Sequence, residues 1–325
     1  MNENVAFKSA RLAALAGPCR FDNAEALAPF LTAIKTRHGA SVLGVIFYGS
    51  CLRSGDIREG LVDFYVVVDD YRRAHDSRLS AAANRLVPPN VYYLEAADAA
   101  PNTGADKPSR LRCKYAVISE AELAYGCRDA LTSGLWGRLA QPVAIVHARD
   151  TVIHERLRMH CGQAVVTLLE ESLPVLHAPL APAEVFARCL ALSYGGELRA
   201  ETDERTTRIT AQYSAEYARR ARDAIDLLDL AVHIDDRGLM RWQASAARRR
   251  QARRLWSARR PIGRLLSVAR LSKACFTFGD AVDYGADKLA RHTGVTIEVT
   301  PRLRRHPLIY GWPVLWRLYR QGVLK

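Results

Sequence analysis

The chain has 325 residues, with 47 Lys and Arg against 34 Asp and Glu, a formal net charge of +13. Its 49% hydrophobic and 25% charged residues fit a folded globular protein with a real core and exclude a disordered, charge-dominated chain. No run reaches the ~18 apolar residues that cross a bilayer, so any membrane contact is expected to be peripheral, and the positive excess points to an anionic partner.

Leu12–Gly17 is too short for the apolar core of an export signal, so a cytoplasmic chain is expected. The cysteines (19, 51, 113, 127, 161, 189 and 275) are odd in number and form no C-x-x-C pair. That argues for reduced, buried thiols and against a disulfide framework or a zinc knuckle.

Along the chain, Leu27, Phe30, Leu31 and Ile34 recur at helical spacing and predict a helix over 24–38. A β-branched run, 41–48, stops abruptly at Gly49-Ser50. A second strand, 61–68, closes on Asp69-Asp70, and 71–86 reads as one helix with a basic outer face. Strands are expected at 90–94 and 111–118. The stretch between them, 95–110, is rich in Ala, Pro, Asn and Gly and reads as a loop. Ser119 and Glu122 form a capping box for a helix to about Leu131. A short strand follows at 143–147.

After Asp150 the pattern turns helical, with apolar residues at three- and four-residue spacing over 152–173, 182–194 and 211–233. No further strand is needed before 296–299. The expectation is therefore an α/β domain over 1–150, a mostly helical domain over 151–300 and an amphipathic segment over 301–325. Two C-terminal stretches stand out. Residues 247–260 carry Arg248, Arg249, Arg250, Arg253, Arg254, Arg259 and Arg260. Residues 307–325 mix Tyr310, Trp312, Leu315, Trp316 and Tyr319 with Arg317 and Arg320. A helix from about Pro313 would gather Leu315, Trp316 and Tyr319 on one face, suited to a membrane interface.

The most informative window is 45–70, VIFYGSCLRSGDIREGLVDFYVVVDD. A strand runs into Gly49-Ser50, and the next strand carries Asp63 between Val62 and Phe64. An acid inside an apolar strand is costly to bury unless it meets a cation or metal. This arrangement resembles nucleotidyltransferases of the polymerase-β type. There the glycine admits a triphosphate close to the backbone, hydroxyl and amide groups hold its oxygens, and the strand acid holds Mg²⁺. That pattern usually has a second acid two residues on. Here the position is Tyr65, so a second carboxylate must come from elsewhere, and Asp69 and Asp70 lie far along the strand.

Further windows in order resemble the mitochondrial-type phosphatidate cytidylyltransferases, the translocator assembly and maintenance family. They are Tyr48-Gly49-Ser50, Val62-Asp63-Phe64, Val91-Tyr92-Tyr93, Lys114-Tyr115-Ala116-Val117-Ile118-Ser119, Gly137-Arg138-Leu139 with Gln141-Pro142-Val143, and Leu192-Ser193-Tyr194-Gly195-Gly196-Glu197-Leu198-Arg199. Three positions depart from the family: Cys51 and Ala116 replace glycines, and Glu197 replaces an aspartate. The resemblance covers roughly 45–200. It implies a nucleotidyltransferase domain, a helical domain and a membrane-binding C-terminus. It further implies a Mg²⁺-dependent reaction of CTP with phosphatidate, giving CDP-diacylglycerol and pyrophosphate at the inner face of a membrane.

Phosphatidate already carries an ionised phosphate oxygen, so alignment and charge neutralisation outweigh general-base chemistry. Asp63 is the first candidate metal ligand and Glu197 the second. Gly49 and Ser50 are expected to hold the triphosphate. Lys114 is expected to act on the phosphates, with Arg112 on the same sheet face and Arg199 as further phosphate contacts. Two alternatives remain open. One is a nucleotidyltransferase with a non-lipid acceptor. The other is a non-catalytic basic protein that binds an anion or membrane through 247–260. No aromatic–basic or zinc-finger pattern points to nucleic acid.

Overall fold

A computed structural model describes residues 3–58, 60–98, 110–195, 211–277, 299–305 and 307–320. The α/β part contains helix α1 (Glu3–Leu15), α2 (Ala28–His38), strand β1 (Val42–Tyr48), a short α3 (Ser50–Ser54), β2 (Val62–Val68), α4 (Tyr71–Ala74), α5 (Arg78–Leu86), β3 (Asn90–Ala97), β4 (Arg110–Ser119), α6 (Glu120–Arg128), α7 (Trp136–Leu139) and β5 (Ala144–Ala148). Then follow α8 (Thr151–Ser172), α9 (Pro182–Tyr194), α10 (Ser214–Asp223), β6 (Ala231–Ile234), β7 (Met240–Gln243), α11 (Ala246–Thr277), α12 (Pro301–Arg305) and α13 (Pro307–Arg320).

The strands β1 to β5 form one mixed sheet in the order β3-β4-β2-β1-β5. Only β2 and β4 run parallel; the other pairs are antiparallel. The central strands β1 and β2 are buried along almost their whole length, which is why they read as continuous apolar runs rather than alternating ones. One sheet face packs Val45, Phe47, Phe64, Val66 and Tyr115 against Phe30 and Ile34 of α2 and Tyr71 of α4. The other packs Ile46, Tyr65, Val67 and Ile118 against α8 and its neighbours, in a core that continues to Trp242 and Trp256. The result is a sheet sandwiched between helical layers.

Caps set the helix starts. The Asp150 side chain accepts the Ile153 amide at 2.8 Å and opens α8, and Pro182 supplies the pre-set φ of the first residue of α9. The expected helix over 71–86 is two helices. His75 turns extended, and the Ser77 hydroxyl accepts the amides of Leu79 and Ser80, so a new helix starts there. The loop expected from 95 begins later, because β3 pairs with β4 as far as Ala97.

The expected helix over 211–233 ends at Asp223, and strands appear well before 296. The Asp235 carboxylate accepts the amides of Arg237 and Leu239, Gly238 takes φ +75°, and β6 and β7 close as a hairpin. Met240 and Trp242 alternate inward from it. Residues 296–298 lie outside the described residues. Helix α13 begins at Pro307 and contains Pro313 rather than starting there. The side chains of Leu315 and Tyr319 are outside the description.

Two contacts fasten the helical layer to the rest. At Gly162 of α8 a Cβ would come within 1.8 Å of the Leu12 carbonyl oxygen, so α1 lies directly on the α8 backbone. Arg220 of α10 is 1% exposed. It donates to Glu216 at 2.8 Å, the Ala140 carbonyl at 2.7 Å and the Ala16 carbonyl at 2.7 Å. One guanidinium thus ties α10 to the ends of α1 and α7. Replacing it by Met removes three donors and leaves Glu216 without its inner partner. We expect Arg220→Met to cost about 3 kcal/mol, read by denaturant unfolding. A loss within error of zero would show that this bridge contributes nothing net.

Candidate active site

β2 is apolar on both faces except at Asp63, where its pairing with both neighbours sets the surroundings. The antiparallel register aligns Asp63 with Tyr48 of β1, and the parallel register aligns it with Lys114 of β4. Lys114 in turn faces Tyr93 of β3. Tyr48, Asp63, Lys114 and Tyr93 therefore form one transverse row on a single sheet face. The next row on that face toward the centre holds Ile46, Tyr65, Ala116 and Val91, and these belong to or pack on the core shared with the helical layer. In the Asp63 row, Tyr48 still packs on that core, while Asp63 and Lys114 are partly exposed.

The Lys114 ammonium stands 2.9 Å from Oδ1 of Asp63, with the two side chains 32% and 19% exposed. Oδ1 is enclosed, yet the pairing lacks the angle of a hydrogen bond. Lys114 thus neutralises the carboxylate without saturating it. A half-enclosed carboxylate with spare acceptor capacity is suited to a second cation.

Gly49 closes the site from β1. It has φ +97°, a region that L side chains avoid, and a Cβ on it would lie 2.9 Å from Oδ2 of Asp63. Both the turn and the close approach demand glycine. Ser50 is exposed at the first residue of α3. Cys51 points inward. Burial first, and the Asp63 charge second, push its thiol up to about 11, so it is a neutral filler and not a nucleophile.

Other predicted residues fall as follows. Arg112 lies two residues before Lys114 on the same strand face, opposite Glu95. Glu95 also receives Arg110 at 3.0 Å and the Tyr93 hydroxyl at 2.9 Å, and its carboxyl is held below the usual range by Arg110 first. Asp69 and Asp70 sit at the far end of β2. Asp69 pairs with Arg73 at 3.0 Å and Asp70 caps α4, so neither serves Asp63. Glu197 and Arg199 lie outside the described residues.

The floor under the row was not foreseen. Tyr48 stacks on Tyr65 with ring centres 4.7 Å apart, and Arg138 of α7 donates to the Tyr65 hydroxyl at 3.1 Å. The end of α9 is tied to the same flank. Tyr194 donates to Gln141 at 2.8 Å, and Ser133 donates to the Ser193 carbonyl at 2.9 Å. The signal was present in the windows around 138, 141 and 194, but only the folded pairing shows the Tyr65 ring stacked under Tyr48 with its hydroxyl held by Arg138.

Among the described residues, no group of three or more His, Cys, Asp or Glu converges to hold a metal by itself. Mg²⁺ commonly uses one or two carboxylates plus water and substrate phosphates. Asp63, with its unsaturated enclosed oxygen, fits as one such carboxylate. No protein-family model matches the chain, and no curated protein matches it.

The glycine requirement is testable against an internal control. Gly55 also has positive φ (+74°), but a Cβ there meets nothing within 4 Å. We expect Gly55→Ala to cost about 1 kcal/mol from backbone strain alone, and Gly49→Ala about 2–3 kcal/mol because it also displaces Asp63. Equal losses in thermal unfolding would mean that Gly49 does not press on the carboxylate.

Proposed function

We propose that the chain is a Mg²⁺-dependent nucleotidyltransferase of the polymerase-β type that joins CTP to phosphatidate, giving CDP-diacylglycerol and pyrophosphate. The observation that carries the reading is Asp63. It is a lone carboxylate in an apolar central strand, half-enclosed, with a glycine of positive φ closed onto it and a lysine beside it. Such a row suits a triphosphate: backbone at Gly49 and the Ser50 hydroxyl for phosphate oxygens, Lys114 and Arg112 for their charge.

Asp63 would hold Mg²⁺ together with the nucleotide, and the ion would supply charge neutralisation at the phosphates. Glu197 is the second carboxylate that the reading requires. In the reaction an ionised phosphatidate oxygen bonds to the α-phosphorus of CTP, and the bond from that phosphorus to the β-phosphate oxygen breaks. No general base is needed. The residues orient the two phosphates in line and offset their repulsion.

The choice of phosphatidate rests on the resemblance carried by the windows over 45–200, and the C-terminus supports it. Among the described residues no helix is long and apolar enough to cross a membrane. Helix α13 leaves Trp312 68% and Trp316 56% exposed, one turn apart. Indole rings in water on one helix face suit the bilayer interface. The same Asp63 row would serve a nucleotidyltransferase with another acceptor, which would not depend on lipid.

The test is turnover with phosphatidate vesicles, Mg²⁺ and each nucleoside triphosphate in turn, with product read by mass. We expect CDP-diacylglycerol from CTP, and about 10²-fold or greater loss in Asp63→Asn, the scale of removing a major electrostatic group. Equal pyrophosphate release without phosphatidate, or near-normal turnover in folded Asp63→Asn, would reject the proposal.

A further inference from the structure

The arginine-rich stretch expected from the sequence is part of α11, and the fold sorts its residues into two faces. Ala252, Trp256, Arg259 and Gly263 point inward. Arg259 is 3% exposed; it donates to the Leu131 carbonyl at 2.7 Å and to Glu171, and lies 4.6 Å from the Trp256 ring centre. It is a structural cation. Arg249, Arg250, Arg253, Arg254, Arg260 and Arg264 point outward and are exposed. At about 100° per residue they fall within roughly 140° of arc. None of their guanidinium groups has an acidic partner among the described residues, and the 32 residues of α11 contain no Asp or Glu.

We propose that this outer face of α11 is an electrostatic docking surface for an anionic lipid bilayer. Unpaired like charges along a helix repel one another and destabilise it, a cost that an opposing anionic surface removes. The arginines from Arg249 to Arg264 extend over about 22 Å at 1.5 Å per residue, on a helix that contains Pro261, and so form an elongated basic face able to meet an extended surface. Two observations favour a bilayer over a nucleic acid. Leu265, 70% exposed, borders the arginine arc. Helix α13, with its exposed Trp312 and Trp316, packs against α11. A polyanion in water would satisfy the arginines and leave these apolar groups wet. A bilayer takes the guanidinium groups at its headgroups and the apolar groups just beneath. The inference concerns binding alone and stands independently of the catalytic reading.

The experiment is flotation of the full chain, without nucleotide, on vesicles of phosphatidylcholine alone or mixed with phosphatidylglycerol, over a range of NaCl. We expect binding only to the mixed vesicles, weakening as salt screens the charge. Combining Arg249→Gln, Arg253→Gln, Arg260→Gln and Arg264→Gln should weaken binding by at least ~10-fold, with an unfolding midpoint no lower than that of the wild type. The same four positions changed to Lys should retain it. Undiminished binding by the Gln variant, equal binding to neutral vesicles, or loss in the Lys variant would overturn the proposal. So would tighter binding of a random-sequence DNA duplex than of vesicles at the same salt, since that would assign the face to nucleic acid.

Discussion

The whole site hangs on the register of β2 between β1 and β4. Side chains alternate faces along a strand, so a slip of one residue would carry Asp63 to the opposite face, between Phe47 of β1 and Tyr115 of β4. That face is closed by α2 and α4, and an ionised carboxylate there would be buried away from Lys114. In the observed register Asp63 meets Lys114, while Tyr65 and Val67 enter the core under α8. Burial of the apolar residues and placement of the acid therefore demand the same pairing. The parallel β2–β4 pair then brings the lysine to the carboxylate, and the turn after β1 brings Gly49 onto it.

The net charge becomes interpretable once the arginines are separated by environment. Arg220 and Arg259 are buried cations whose partners are mostly backbone carbonyls and single glutamates. They join segments of the chain and say nothing about partners. The outward arginines of α11 have no such role. A basic composition alone could not distinguish these two groups, and Arg259 even comes from the same short run as the outward arginines.

The strands of the sheet were legible because β1, β2 and β4 are β-branched or aromatic runs bounded by turns or caps, and α8 and α9 because Asp150 and Pro182 mark their starts. The break at His75–Ser77 was hidden by continuous helical spacing on either side, although Ser77 is a strong N-cap. The β6–β7 hairpin was missed because apolar residues over 225–232 fit a helical period; the Asp235–Gly238 turn and the alternation of Met240 and Trp242 carried the true signal. At the site, Asp63, Gly49 and Lys114 could be named from residue type and spacing. Their shared row, and the tyrosines that flank it, depend on inter-strand pairing, which a linear pattern does not encode. The second carboxylate, Glu197, lies outside the described residues.

The central claim is that Asp63 receives a divalent cation in company with a nucleoside triphosphate. Mn²⁺, a spectroscopic stand-in for Mg²⁺, tests it directly by electron paramagnetic resonance with a non-hydrolysable CTP analogue, without requiring turnover. The folded wild-type chain is expected to immobilise Mn²⁺ strongly only when the nucleotide is present, and Asp63→Asn to lose most of that signal while keeping its unfolding midpoint. Equal immobilisation by wild type and Asp63→Asn, or none in either, would contradict it.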